Sequence, residues 1–237
     1  ADHAALEKRK ISREKKARSG DKEAKKELAL MEKLLPHLDN GKPAITASIN
    51  DDEKEIMKEF FLLTSKRTIF ACNVSEDELA NALDNPDGHP MVSKVKSYAH
   101  ETHGADAIVI SARIEEELID LSSEEANEFL QDMGITDSGV STMIRSVYQL
   151  LGLSTYLTTG EKETRAWTIK SGAKAPEAAG VIHTDFERGF IAAEVLHYDD
   201  YVEFQSKSAA RDAGKLRIEG KEYLVNDGDV IEFRFNV

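Results

Sequence analysis

The first fifty residues carry a hydrophobic pattern that predicts two helices. Residues 1–18 are dense in Ala, Lys, Arg and Glu, and Ser19-Gly20-Asp21 interrupts them. Apolar residues then recur at spacings of four and three, the seam typical of a coiled coil: Ala24, Leu28, Met31, Leu35 and Leu38. Asp21 can cap the second helix, and Pro36 is expected to kink or end it. An antiparallel helical hairpin over residues 1–50 follows.

Residues 51–152 alternate between apolar runs and helical patterns. Thr68–Cys72 and Ala107–Ile110 are short apolar runs, which predict buried strands. Between and after them lie a turn signal and the capping signals of helices: Asn85-Pro86-Asp87-Gly88, Ser122 with Glu125, and Ser138. A strand–helix–strand order implies parallel pairing in an α/β domain. Because two strands cannot make a stable open sheet, we expect a further part of this domain to lie upstream of Ala1.

Residues 153–237 change to a pattern of short strands and turns. Strands are predicted at residues 155–158, 164–169, 190–195 and 230–235, with a short helix over Ala175–Ala179. Gly160-Glu161-Lys162 and Glu219-Gly220-Lys221 are turn signals, and the second predicts a hairpin between Leu216–Arg217 and Tyr223–Leu224. Hairpins and one short helix in so few residues favour a small β-grasp sheet. The whole chain is thus an α/β multidomain protein.

Charge is distributed unevenly along the chain, which has a net charge of −13. Residues 1–35 carry eleven basic and seven acidic groups, whereas residues 51–150 carry eight basic and twenty-one acidic groups. Since an acidic body repels phosphate backbones, any contact with nucleic acid needs the basic N-terminal segment. The candidates are Lys8, Arg9, Arg13, Lys15, Lys16 and Arg18. A solvated hairpin of mixed charge is the alternative interpretation.

Several classes of protein are excluded. Hydrophobic residues make up 41% of the chain, a globular rather than a disordered composition. No apolar run reaches the roughly 18 residues that a membrane span needs, so no membrane association is expected. Cys72 is the single cysteine, which fits a reducing cytoplasm. The first twenty residues do not resemble a secretory signal, and a start at Ala1 inside a helical pattern suggests a fragment.

Candidate chemistry lies at the ends of the two predicted strands. The sequence contains no Gly-x-x-x-x-Gly-Lys-Ser/Thr phosphate loop. Asn73-Val74-Ser75-Glu76 and Ser111-Ala112-Arg113 nevertheless follow the two strands, where α/β sheets bind ligands. P-loop GTPases carry Asn-Lys-x-Asp and Ser-Ala-Lys at these two places to recognise the base, and the asparagine at the start of the first motif also holds the neighbouring loops together. Glu76 in place of Asp and Val74 in place of Lys should weaken selection of guanine, while Val74 can still cover a purine face.

Longer strings then resemble the YchF-type, Obg-related ATPases of the translation-factor class. The strings are residues 73–76, 165–169, 182–191 and 227–237, together with the charged hairpin around Ser19-Gly20-Asp21-Lys22. The resemblance spans about residues 7–237. It implies a coiled-coil insertion at 1–50, the C-terminal part of a P-loop domain at 51–152 and a TGS domain of β-grasp type at 153–237.

The resemblance also implies an activity and its partners. Family members bind ATP, often GTP as well, hydrolyse it slowly with Mg²⁺, and associate with ribosomes or RNA. Asn73, Val74 and Glu76 would line the base side of the pocket, with Ser111 and Ala112 beside them. The family's P-loop has no counterpart in this sequence, so we expect no catalytic residue, no tight nucleotide binding and no hydrolysis by this chain alone. A non-catalytic module that binds RNA or ribosomal protein is the alternative.

Four further residues are interpreted as structural. His183 and Asp185 lie two apart without a third ligand nearby, so no metal site is predicted. Trp167 is expected in the core or as a packed surface anchor, with base stacking as the alternative. Cys72 should be an inert, buried side chain.

Overall fold

The computed structural model describes residues 1–160 and 163–236. The chain divides into two compact units, Ala1–Ile144 and Arg145–Val237. Helices and strands alternate in both, so the predicted α/β class is confirmed. The predicted three-part division at residues 50 and 152 stays a prediction. Among the described residues, no helix is both long enough and apolar enough to cross a membrane.

The first unit begins with a helical hairpin. Its helices are α1 (Asp2–Arg18) and α2 (Lys22–Asp39), followed by α3 (Asp51–Lys58). The predicted cap at Asp21 is confirmed, since its side chain accepts hydrogen bonds from the backbone N–H of Glu23 and Ala24 at 2.9 and 3.1 Å. Asn50 and Glu53 form a reciprocal capping box at the start of α3.

The buried face of α2 agrees with the predicted seam in part, since Ala24 and Met31 are buried. Leu30 and Leu34 are fully buried, while Leu28, Leu35 and Leu38 are only partly buried. The reason is that residues of α1 and of the segment from Ala44 to Leu62 join α2 in one core cluster, so α2 packs against more than one partner. A seam predicted for a pair of helices therefore does not include the positions that a third segment of the chain buries.

Pro36 does not end α2. The helix continues to Asp39, three residues further, and Asn40 forms its C-cap. Pro36 lacks an N–H, so one hydrogen bond to the preceding turn is missing. The backbone N–H and side-chain amide of Asn40 both donate to the Pro36 carbonyl, at 3.1 and 2.8 Å, and hold the last turn in place.

The rest of the first unit has two parallel strands, β1 (Phe70–Asn73) and β2 (Ala107–Ile110), as predicted. Five helices accompany them: α4 (Glu76–Asp84), α5 (Pro90–Tyr98), α6 (Ala112–Leu118), α7 (Ser123–Asp132) and α8 (Gly139–Leu151), the last of which continues into the second unit. A π-helical turn over Ala99–His103 extends α5. Their shared core includes Cys72, Leu79, Val92, Val109 and Ile114.

The second unit is built on a five-stranded mixed sheet. Its strands are β3 (Leu153–Thr159), β4 (Thr164–Lys170), β5 (Phe190–His197), β6 (Arg217–Glu219) and β7 (Asp229–Phe235), in the spatial order β4-β3-β7-β5-β6. The β3–β7 pair is parallel and the other pairs are antiparallel. The predicted turn residues Glu161 and Lys162, and Val237, lie outside the described residues.

Helices cover both faces of this sheet. On one face α9 (Ala175–Ile182) and α10 (Thr184–Arg188) pack over Tyr156, Val195 and Ile231. On the other face α11 (Tyr198–Phe204) and α12 (Lys207–Asp212) contribute to a smaller core around Leu196 and Val230.

The predicted second hairpin of this unit is wrong. Leu224 pairs with Lys174 in an isolated bridge, and β6 pairs with β5 instead. Tyr223 is held elsewhere, because its hydroxyl donates to the buried carboxylate of Asp229 at 2.7 Å. A turn signal such as Glu219-Gly220-Lys221 marks a change of direction but does not choose the strand partner.

Candidate functional site

The two predicted loops meet at the carboxyl ends of β1 and β2. Asn73 is the last residue of β1 and is in register with Ile110, the last residue of β2. The backbone N–H of Val74 donates to the Ile110 carbonyl at 2.9 Å. Parallel pairing thus brings residues 73–76 and 111–112 to one edge of the first unit, as the sequence predicts.

One side chain ties the two loops together. The Asn73 Oδ1 atom accepts a hydrogen bond from the backbone N–H of Ala112 at 2.9 Å, across 39 residues of sequence. The expectation that this asparagine holds the neighbouring loop is confirmed. Ala112 is the first residue of α6, so the bond also satisfies one of the N–H groups that a helix start leaves without an intrahelical partner.

Ser111 is the buried member of this group. It lies at the N-cap of α6 and is 1% exposed, and its hydroxyl has no hydrogen-bond partner among the described residues. Leaving a buried hydroxyl unsatisfied costs about 1–3 kcal/mol. The neighbouring residues Asn73 and Ala112 are exposed, so this unsatisfied hydroxyl lies beside residues that face solvent.

Val74 and Glu76 differ in their surroundings. Val74 packs partly against the core of the first unit. Glu76 is exposed in the first turn of α4, and Ser75 forms the N-cap before it. The Ser75 hydroxyl donates to Glu78 at 2.7 Å and, together with the Ser75 backbone N–H, lowers the pKa of the Glu78 carboxyl. The Glu76 carboxylate is therefore left accessible beside the Asn73 loop.

Sequence reasoning missed the role of Glu115. The run Glu115-Glu116-Glu117 has the composition of a solvated face, yet the Glu115 carboxylate accepts a hydrogen bond from the backbone N–H of Gly139 at 2.6 Å. This contact fixes the start of α8 against α6. A Cβ at Gly139 would lie 2.9 Å from the Glu115 Oε1 atom and 3.0 Å from the Ile110 Cγ2 atom, so a larger residue there would have to displace the Glu115 carboxylate. The partners are 24 residues apart, and no local pattern signals the contact.

The cationic residues predicted on α1 fall into two groups. Arg9 and Arg13 both bind the buried Glu27 of α2, with Nε···Oε2 distances of 3.1 and 2.8 Å. The structure therefore employs these two guanidinium groups inside the hairpin. The other four candidates are exposed on α1: Lys8, Lys15, Lys16 and Arg18.

The residues interpreted as structural make capping or packing contacts. His183 caps α10 by accepting from the Asp185 N–H at 3.2 Å. Trp167 packs against the core of the second unit, and its indole N–H donates to Thr158 at 2.9 Å. Cys72 is buried, which raises the pKa of its thiol. The described residues contain no cluster of His, Cys, Asp and Glu that could hold a metal ion.

Comparison with known proteins relates both units to one family. The YchF-GTPase_C family profile, described as "Protein of unknown function (DUF933)", matches residues 153–236. The "Ribosome-binding ATPase YchF" of Bacillus subtilis is 46% identical over the whole chain, which spans 63% of that relative. The protein of the same description from Haemophilus ducreyi is 47% identical over 94% of the chain and 60% of its own length.

A solved structure shows the same architecture. The Schizosaccharomyces pombe YchF GTPase aligns with 98% of the chain and 62% of its own chain, with a TM-score of 0.75 and 33% sequence identity. The chain thus spans less than two thirds of the length of these relatives. Their similarity runs through the helical hairpin, the strand-end loops and the five-stranded sheet alike, and the chain belongs to the YchF family.

Proposed function

We propose that the chain forms the base-binding side and the ribosome-directed part of a YchF-type ATPase. The main support for this proposal is the Asn73–Ala112 hydrogen bond, which holds the two proposed base-recognition loops together at the ends of parallel strands. The names of the relatives, ribosome-binding ATPases, support the same assignment. The nucleotide is ATP, with GTP as a second ligand.

Each loop residue has a distinct role in this proposal. Asn73 fixes the loops, Val74 covers one face of the purine, and the Glu76 carboxylate accepts hydrogen bonds from the base edge. Ser111 offers its buried hydroxyl and Ala112 its backbone beside the base. Glu76 is one methylene longer than the aspartate typical of guanine sites, so its oxygens lie displaced from the positions that guanine requires.

Phosphate binding and hydrolysis depend on a P-loop that this sequence does not contain. Mg²⁺ would accompany the triphosphate, and we assign no Mg²⁺ ligand among the described residues. The chain alone should therefore bind nucleotide weakly and hydrolyse none.

The two flanking parts would engage the ribosome. We assign α1 and α2 to the family's coiled-coil insertion, and the strand order β4-β3-β7-β5-β6 with α9 over one face supports a β-grasp, TGS-type domain. A non-catalytic module that binds RNA or ribosomal protein is the second candidate function. The exposed lysines of α1 favour it.

Nucleotide titrations followed by amide NMR of this chain test the proposal. Added ATP should shift the amide signals of residues 73–76 and 111–112. Asn73→Ala should abolish these shifts, whereas Asn81→Ala, at an exposed position of α4, should preserve them. Glu76→Asp should raise the affinity for GTP relative to that for ATP by about tenfold, the effect of roughly one hydrogen bond. Shifts confined to other residues, or insensitivity to Asn73→Ala, would refute the base-side assignment.

A further inference from the structure

The two edges of the five-stranded sheet are unequal. One edge is β6, which has only three residues, Arg217–Glu219. The other is β4, which has seven residues, Thr164–Lys170, without proline or glycine. Its register with β3 runs without a bulge from one end to the other. Natural sheets protect their edges by shortening, bulging or covering them, or with charged side chains. Strand β4 is neither short nor bulged, and its charged side chains are Arg165 and Lys170.

The direction of the backbone groups of β4 follows from two hydrogen bonds at the ends of its pair with β3. Gly160 N–H donates to the Glu163 carbonyl, and Ser171 N–H donates to the Gly152 carbonyl, at the two ends of the pair. In an antiparallel pair, hydrogen-bonded and non-hydrogen-bonded positions alternate. Four residues therefore direct their backbone groups away from β3: Thr164, Ala166, Thr168 and Lys170.

These four residues are all exposed. The Lys170 carbonyl accepts a hydrogen bond from the Ala173 N–H at 3.0 Å. The backbone N–H and carbonyl groups of Thr164, Ala166 and Thr168, together with the Lys170 N–H, therefore line the outer edge. Such a row is a template for an added strand.

The side chains of β4 define the chemistry of that strand. Arg165 and Lys170 are basic and the strand has no acidic residue, although the chain as a whole has a net charge of −13. Trp167 is partly buried, and the Arg165 guanidinium carbon lies 4.2 Å from its ring centroid. Arg165 and Trp167 occupy positions where the side chains of an added strand come closest, because these positions would not be hydrogen-bonded to it.

We propose that the outer edge of β4 binds an extended peptide segment of a partner protein by strand addition. The segment carries an acidic residue opposite Arg165, an aliphatic residue opposite Trp167 and a second acidic residue opposite Lys170. Main-chain hydrogen bonds to Ala166 and Thr168 supply the pairing, and the side chains supply selectivity. This binding surface lies in the second unit and does not depend on the nucleotide proposal.

The test uses the whole chain and one synthetic peptide, acetyl-Asp-Thr-Thr-Val-Thr-Glu-Thr-amide, which matches an antiparallel register against residues 170–164. Trp167 is the single tryptophan, so its fluorescence reports on this edge alone. We expect a saturable change with this peptide. A control peptide with lysine in place of both acids should bind about tenfold more weakly or not at all.

Variants separate backbone pairing from side-chain contact. Ala166→Pro removes an N–H that points away from β3 and should weaken binding about tenfold, whereas Ala166→Ser keeps the N–H and should leave the affinity unchanged. Lys170→Glu should weaken the binding of the acidic peptide and strengthen the binding of the lysine peptide. This reversal does not require proline to be tolerated, so the proposal stays testable if Ala166→Pro fails to fold.

Hydrogen exchange of the free chain gives an independent result. The amides of Ala166 and Thr168 should exchange much faster than those of Arg165 and Trp167, and the peptide should protect them. If the amides of Ala166 and Thr168 are as well protected as those of Arg165 and Trp167 without peptide, the chain itself covers the edge and the proposal is overturned. Protection that rises with protein concentration would assign the edge to a second copy and would overturn it as well, as would the absence of any fluorescence change.

Discussion

At the scale of single residues, Asp2 connects the start of α1 to a segment more than sixty positions away. Its carboxylate accepts from the backbone N–H groups of Leu63 and Thr64 at 2.9 and 2.7 Å, and from the Thr64 hydroxyl at 2.7 Å. Burial alone would raise the pKa of Asp2, but these hydrogen bonds outweigh burial and hold it below its ordinary value of 3.8. The ionised form is therefore the one that stabilises the fold.

We predict that Asp2→Ala lowers the free energy of unfolding by about 2 kcal/mol at pH 7, the cost of hydrogen bonds to a charged group. A group with a lowered pKa in the folded state contributes stability above its unfolded pKa and loses it as the pH falls through the folded value. The difference in unfolding free energy between wild type and variant should thus shrink as the pH falls below 3.8. Urea unfolding across this range measures it, with the exposed Glu7→Ala as control. A gap independent of pH would contradict the assignment.

Capping residues were predictable because their contacts are local. Asp21 and Ser122 bond to amides two or three residues ahead, so the sequence pattern contains both partners. The partners of Asp2 and Glu115 lie 61 and 24 residues away and depend on how the helices pack. Within the candidate site, the Asn73 contact was predictable only because two loop motifs followed two recognisable strands.

At the scale of elements, the hairpin is held by a charged contact inside its seam. Glu27 is 7% exposed, and its Oε2 atom accepts from both Arg9 and Arg13. Arg9 also donates to the Glu59 carbonyl at 2.8 Å and lies 4.8 Å from the Phe60 ring centroid. One arginine of α1 thus contacts both α2 and the end of α3. A coiled-coil pattern of apolar residues alone does not reveal this link.

Removing Glu27 should destabilise the hairpin more than removing an exposed acid of the same helix. For Glu27→Ala we expect a loss of about 2–3 kcal/mol, below the usual cost of breaking a fully buried pair because both arginines are partly exposed. Glu32→Ala should change stability by less than about 0.5 kcal/mol. Thermal and urea unfolding of the two variants measure the difference, and equal effects would show that the ion pairs contribute nothing.

At the scale of the whole molecule, charge differs between the N-terminal helical hairpin and the central region. The acidic central region repels phosphate backbones, whereas α1 exposes Lys8, Lys15, Lys16 and Arg18 along one helix. The proposed engagement of the ribosome, or of RNA in the non-catalytic alternative, relies on these residues. The two guanidinium groups bound to Glu27 are needed for packing and are poorer candidates.

Charge reversal on α1 tests this role. Exchanging Lys8, Lys15 and Lys16 for glutamate should weaken co-sedimentation with ribosomes and lower the slope of affinity against salt by about two to three, since roughly one counterion is released for each phosphate contact. The control exchanges the exposed Lys22, Lys25 and Lys26 of α2 for glutamate. An unchanged affinity and salt slope in the α1 variant, or an equal loss in the control, would remove α1 as the contact surface.

The sequence by itself determined the local features of this protein. It specified the helices of the hairpin, two parallel strands, the capping residues and most strands of the second unit, because each depends on periodicity or on partners a few residues apart. Tertiary structure alone decided which face of α2 is buried, where Tyr223 and Leu224 pair, and which carboxylates hold distant backbone amides. These choices depend on contacts between segments far apart in the chain, and the hydrophobic pattern of one segment does not encode its partner.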